Sequence, residues 1–107
     1  MNAKERHIVI VNFTTSESSQ AQAIQEVGDY VESFLSHQLG FIASQLHASL
    51  DGRSLVHYAE WVSEKNFMAA AEKARSHPDL PMLMAYSPNA SGYKIHRRFT
   101  SSYHENS

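Results

Sequence analysis

The sequence lacks several features that would define a function class. It contains no cysteine, which excludes disulfides, a thiol nucleophile, and thiolate-ligated zinc or iron–sulfur clusters. Its longest aliphatic run, Ile8-Val9-Ile10-Val11, is far shorter than the roughly 20 residues of a membrane-spanning helix. Nine Lys and Arg against eleven Asp and Glu give no basic excess that would indicate nucleic acid or an anionic membrane as a partner. We therefore expect a cytoplasmic protein.

What the chain does contain is typical of one globular unit. Of its 107 residues 42% are hydrophobic and 19% charged, which argues against disorder. A chain of this length forms one core. We expect a single domain over residues 1–107, with a core of about 6–100 and a loose tail at 101–107. The seven histidines are unusual, because each titrates near neutral pH and is a candidate for proton transfer.

Hydrophobic patterning predicts the element order β-α-β-β-α-β. A run of aliphatic, mostly β-branched residues predicts the first strand. Apolar residues that recur every three or four positions predict the first helix, which should end at Gly40. Ser63 is a candidate N-cap for the second helix. The four strands are predicted at residues 7–13, 41–49, 54–61 and 92–102. This order is typical of the ferredoxin-like α+β fold, an antiparallel sheet with both helices on one face.

The register of the central hairpin decides which side chains share a face. A two-residue loop at Asp51-Gly52 pairs Leu50 with Arg53 and places His47 and His57 on opposite faces. A type I turn with Gly52 as a bulge residue shifts the pairing by one and brings both histidines to one face. The sequence leaves both registers open.

The middle of the chain resembles the antibiotic biosynthesis monooxygenase family. Its members begin a strand with Gly-Phe, turn at Asp-Gly and end the next strand with Tyr-Ala-x-Trp. The corresponding residues here are Gly40-Phe41, Asp51-Gly52 and Tyr58-Ala59-Glu60-Trp61. The resemblance implies a dimeric α/β barrel, a homodimer joined through its sheets, with a pocket between the helices and the sheet of each subunit. The quinone-forming branch of that family oxidises phenolic or polycyclic aromatics with O₂ and without a metal, flavin or haem.

The resemblance also implies a set of site residues. Trp61 and His47 stand where that branch has a pocket Trp and His, whereas His57 replaces an Asn and Phe67 a Tyr. We predict His47 and His57 as catalytic proton-transfer residues, unless they are ordinary strand histidines satisfied by backbone or water. The predicted substrate-binding residues are Asn12 as an orienting group, Trp61 as an aromatic platform or core anchor, and three further pocket residues, Phe67, His77 and Tyr86. No spacing indicates a metal site.

Two other functions remain open at this stage. The haem-degrading branch of the same superfamily uses an Asn on the first strand, a Trp and an axial His, and Asn12, Trp61 and His77 resemble that set. The chain is alternatively a non-catalytic dimer that binds a small aromatic ligand, since a fold does not by itself imply a reaction.

Overall fold

The computed structural model describes residues 6–103 and has the predicted ferredoxin-like α+β fold. The sheet order is β2-β3-β1-β4, and every neighbouring pair is antiparallel. The strands are β1 (His7–Thr14), β2 (Phe41–Ala48), β3 (Ser54–Trp61) and β4 (Asn89–Lys94), and the helices are α1 (Gln20–Ser33), α2 (Glu64–Ala74) and α3 (Leu80–Met84). No helix within residues 6–103 is long and apolar enough to cross a membrane.

Most of the hydrophobic core lies on one face of the sheet, between the strands and the helices, whereas Ile8 is buried on the other face. Burial along β3 alternates strictly, because successive side chains of a strand point to opposite faces. Its four buried side chains face the helices and are Leu55, His57, Ala59 and Trp61. One core cluster joins Phe13 and Leu55 to Val27 of α1, and a second joins Ala59 and Trp61 to Ala70 of α2. We call this side of the sheet the helix face.

The first helix ends earlier than its apolar stripe predicts. α1 stops at Ser33 because Phe34 leaves the helical region at φ −125°, and a 3₁₀ turn (Leu35–His37) follows. Gly40 then reverses the chain with φ +89°. The predicted cap of α2 is confirmed, because the backbone N–H of Asn66 donates to Oγ of Ser63 at 3.1 Å.

The last strand differs most from the sequence prediction. It spans Asn89–Lys94 rather than 92–102. β4 pairs with β1 from Asn12–Asn89 to His7–Lys94, so Lys94 lies opposite the first residue of β1. A strand needs a hydrogen-bonded neighbour, and residues 95–103 form no regular structure despite their alternating pattern.

No described helix covers the other side of the sheet, which we call the outer face. Ile10, Val56 and Tyr58 lie there in adjacent register on β1 and β3 and are half-buried. Near the end of this face, Nη1 of Arg6 lies 3.0 Å from Oε2 of Glu60.

Candidate functional site

A cavity of about 200 Å³ lies between the helix face and the helices. Val11 of β1, Val31 of α1, Phe67 of α2 and Leu83 of α3 are among its lining residues. Nearly all of its walls are apolar. The exceptions are His57 of β3 and Tyr30 of α1, the lining residues whose side chains carry polar atoms. This composition, apolar walls with few placed polar groups, is typical of small-molecule sites.

His57 is the polar group of the sheet wall. Its side chain is 4% exposed, and Nε2 is buried without a hydrogen-bond partner in the described chain. Burial lowers the pKa of His57 to about 4, because the charged imidazolium loses hydration. The ring is therefore neutral near pH 7 and retains a nitrogen able to accept a proton. An unpaired buried polar atom of this kind costs about 1–3 kcal/mol of stability.

Tyr30 is the polar group of the helix wall, and the sequence analysis did not identify it. Its ring is fixed by Phe34 (centroids 5.4 Å apart) and by the edge of His77 (5.1 Å). Burial, and then the negative charge of Asp79, raise the pKa of the Tyr30 hydroxyl, so it stays protonated and can donate a hydrogen bond. The available signal was a hydroxyl-bearing residue inside the apolar stripe of α1, three residues after Val27.

Phe67 lines the cavity as predicted, but Trp61 does not. Trp61 is fully buried and packs edge-on against two rings. Its ring centroid lies 5.6 Å from that of Phe67 and 5.4 Å from that of Phe41. Its indole thus packs behind Phe67, which corresponds to the core anchor of the two predicted roles and not to the aromatic platform. Nε1 of Trp61 is also buried without a hydrogen-bond partner among residues 6–103.

The prediction that His47 and His57 share a pocket is wrong. Leu46 pairs with His57, and His47 pairs with Val56, which places the exposed His47 on the outer face. Its Nε2 lies 3.0 Å from Nε2 of Gln45, outside the cavity. Asn12 pairs with Val56 from the other side and is likewise exposed on the outer face, so its predicted contact with a substrate in the cavity is also corrected.

Polar side chains in the hairpin loop select this register. Oγ of Ser49 accepts hydrogen bonds from the N–H groups of Arg53 (3.1 Å) and Ser54 (2.9 Å), and it donates to Asp51 at 2.7 Å. The N–H of Ser49 donates to the carbonyl of Ser54 at 3.0 Å. The strands therefore pair in the register predicted for a two-residue loop, which places Leu50 opposite Arg53. The loop itself spans residues 50–53.

The remaining two predicted residues lie near the cavity but not on its lining. Nδ1 of His77 accepts a hydrogen bond from the N–H of Asp79 at 3.0 Å, and its ring packs on Tyr30 and Phe34. The hydroxyl of Tyr86 donates to Oε1 of Glu26 at 2.6 Å. Both residues support the walls of the cavity from behind.

The residues of the haem hypothesis do not converge. Asn12 lies on the outer face, Trp61 packs behind Phe67, and Nδ1 of His77 already accepts a backbone hydrogen bond. The cavity thus does not fit a haem bound through this set. In the described part of the chain, no three His, Cys, Asp or Glu side chains are grouped to hold a metal ion.

Comparison with known proteins places this geometry in a family. The relative tetracenomycin-F1 monooxygenase of Streptomyces glaucescens is 30% identical over 66 residues, which cover 62% of this chain and 59% of the relative. The match therefore spans less than two thirds of that relative's length.

Two examples show that solved structures share the fold. A monooxygenase from the gene ActVA-Orf6 of Streptomyces coelicolor, in complex with nanaomycin D, has a TM-score of 0.73 at 24% identity and covers 94% of this chain and 96% of its own. A variant of SnoaB, a cofactor-independent oxygenase of Streptomyces nogalater, has a TM-score of 0.71 at 20% identity, with coverages of 92% and 99%. The model of the antibiotic biosynthesis monooxygenase family matches residues 6–78, and this chain belongs to that family.

Proposed function

We propose that this protein is a cofactor-independent monooxygenase that oxidises a phenolic aromatic with O₂. The observation that carries the proposal is the buried imidazole of His57, with Nε2 unpaired among the described residues, in a cavity whose other lining side chains are apolar except for Tyr30. The family supports the oxygenase activity, and the description of one structural relative as a cofactor-independent oxygenase supports chemistry without a bound group.

In this mechanism His57 is the base. The phenol donates its proton to a ring nitrogen of His57. A neutral closed-shell molecule transfers an electron to O₂ poorly, whereas the electron-rich phenolate formed in this way does so more readily. Recombination forms a carbon–oxygen bond. Where a ring CH₂ becomes C=O, the substrate supplies all four electrons, one oxygen atom enters the product and the other leaves as water. The apolar walls exclude water from the intermediate.

The low pKa of His57 is compatible with this role. It arises from burial, which removes hydration from the imidazolium. A phenolate formed against the ring provides a negative charge and favours the protonated form of His57. The imidazolium in turn stabilises the developing anion, as a placed positive charge does in a water-excluded site.

Oxygen uptake by chelator-treated protein tests the proposal. Anthrones, naphthols and hydroquinones are offered as substrates, with ¹⁸O₂ used to trace the oxygen atom. We expect one O₂ consumed per substrate, one labelled oxygen in the product, and a loss of about 10²- to 10⁴-fold in kcat for His57→Gln. His37→Gln changes an exposed histidine of the 3₁₀ turn and is the matched control.

The contrary outcome is equally clear. Uptake that does not exceed autoxidation for any compound, or that is unchanged in His57→Gln, would overturn the proposal. Binding without uptake would favour the alternative of a non-catalytic aromatic binder.

We also propose a homodimer joined through the outer faces of two sheets. Ile10, Val56 and Tyr58 form an apolar strip there that no described helix covers. A second copy would cover it with the same strip, which is how a two-fold interface is built.

A further inference from the structure

The hairpin loop contains an Asp-Gly pair, a sequence prone to spontaneous rearrangement of the backbone. Asp51 precedes Gly52, and no other Asp or Asn in the sequence precedes a glycine. In such a pair the amide nitrogen of the glycine attacks Cγ of the aspartate, and one water is lost. Water then opens the resulting succinimide ring at either carbonyl, which gives back aspartate or leaves isoaspartate. Glycine favours this reaction because it has no Cβ to hinder the attacking nitrogen.

The loop depends on both residues of this pair. Gly52 has a φ of +80°, in the left-handed region that costs glycine little. Oδ1 of Asp51 accepts hydrogen bonds from the N–H of Arg53 at 2.9 Å and from the hydroxyl of Ser49 at 2.7 Å. An aspartate that accepts a hydrogen bond from the backbone two residues later is a common way to form a turn. Replacing either residue would therefore weaken the loop.

The same hydrogen bonds oppose the rearrangement. The N–H of Gly52 donates to the carbonyl of Ser49 at 3.1 Å, which retains the proton that this nitrogen must lose before it attacks. The N–H of Arg53, and after it the hydroxyl of Ser49, lower the pKa of the Asp51 carboxyl. The uncharged acid is the form that loses its hydroxyl as water. Near pH 7 its fraction is therefore smaller in the folded loop than in an unfolded chain.

The loop is also anchored to the connection between β1 and α1. Oγ1 of the buried Thr15 donates to the carbonyl of Gly52 at 2.7 Å, and the N–H of Thr15 donates to the carbonyl of Arg53 at 2.9 Å. The succinimide ring closes only when Cγ of Asp51 reaches the nitrogen of Gly52. Because the peptide groups on both sides of Gly52 are hydrogen-bonded, rotations toward that geometry break bonds that an unfolded chain does not have.

We infer that Asp51 is the site of isoaspartate formation in this chain, and that the folded loop suppresses the reaction through the hydrogen bonds of Ser49 and Thr15. One water is released and one is consumed, so the reaction needs no oxidant, and the inference is independent of the proposed function. Its consequence concerns the hairpin. Isoaspartate adds one atom to the backbone of the loop that fixes the register of β2 and β3.

Ageing of the purified chain near pH 7 tests the inference. Peptide mapping locates isoaspartate, and an isoaspartate-specific methyltransferase measures its amount. We expect position 51 to react about tenfold or more faster in the urea-unfolded chain than in the folded chain. Folded Ser49→Ala and Thr15→Val should each react about fivefold faster than the folded unmodified chain, as the loss of a hydrogen bond predicts. In urea all three chains should react at the same rate, because the loop contacts are absent.

Two control variants separate the loop from general effects. Ser36→Ala removes an exposed hydroxyl that donates to the carbonyl of Glu32 at 2.9 Å, and it should not change the rate. Gly40→Ala strains a turn outside the loop, at φ +89°, and should also leave the rate of the folded chain unchanged. If Gly40→Ala reacted as fast as Ser49→Ala, the rate would follow global unfolding and the inference would be overturned.

The remaining outcomes concern the site and its protection. Equal rates in the folded and the unfolded unmodified chain would show that the loop gives no protection. An unchanged rate in Ser49→Ala or in Thr15→Val would overturn the role of that residue. Isoaspartate found mainly at a position other than 51 would contradict the assignment of the site.

Discussion

At the scale of single residues, the buried imidazole of His57 carries a stability cost as well as the proposed chemistry. Near pH 7 it is neutral in both the folded and the unfolded chain. Below its ordinary pKa of 6.5 the unfolded chain binds a proton, whereas the folded chain does so only near pH 4. The free energy of unfolding should therefore fall as the pH falls from 6.5 to 4, by about 3 kcal/mol from this group.

Urea unfolding at pH 7 and pH 4 measures this effect. Carboxylates also titrate in that range, so the comparison is with His57→Gln, which has no ionisable group at the position. The unmodified chain should lose about 3 kcal/mol more than the variant. Parallel losses in the two proteins would mean that His57 is accessible to protons in the folded state.

At the residue scale, the sequence could place residues near the cavity where a local pattern decides their position, but not where strand register decides it. His57 and Phe67 were both placed at the site, and both line the cavity. His47 was assigned to the same pocket, but a one-residue difference in pairing sends it to the other face. No feature of Asp51-Gly52 alone chooses between the two registers. Ser49 makes that choice through three hydrogen bonds that exist only in the folded loop.

At the scale of elements, the connection between α1 and β2 depends on Gly40. Its φ of +89° is in the left-handed region, and an added Cβ would overlap the side chain of Asn66 at the start of α2. Gly40→Ala should therefore lower the free energy of unfolding by about 2 kcal/mol or more. Thermal or urea unfolding measures the change.

Gly28→Ala is the matched control, because the same substitution should have the opposite sign there. Gly28 lies inside α1, and its added Cβ would meet only Cδ1 of Leu46, at an ordinary 3.8 Å. Alanine is favoured over glycine in a helix by about 1 kcal/mol. Stabilisation at both positions would show that the turn at Gly40 does not need a left-handed residue.

Some element boundaries are set by nearby residues in the sequence, and others by a distant strand. β3 begins and ends where its pattern predicts, and the cap at Ser63 begins α2. β4 was misplaced because the alternating residues after Tyr93 match a strand, whereas Ser87-Pro88-Asn89 matches a break. Its true position follows from pairing with β1. A strand boundary that a distant partner sets is not visible in a local pattern.

At the scale of the whole molecule, the unpaired outer face predicts the oligomeric state. Light scattering should give twice the 12.1 kDa of one chain. Val56→Asp places a charge in the apolar strip formed with Ile10 and Tyr58, and burying an unpaired charge in an interface is costly. We expect this variant to dissociate at least tenfold more readily than the unmodified chain, while each subunit keeps its cavity.

Leu50→Asp is the control for this experiment, because Leu50 is an equally apolar but fully exposed residue in the hairpin loop. It removes surface hydrophobicity without touching the outer face, so the dimer should persist. A monomer at micromolar concentration for the unmodified chain would contradict the dimer. Because the cavity is lined by residues of one chain, that result would leave the proposed site intact, and ligand binding to the monomer would show that the site functions without a partner.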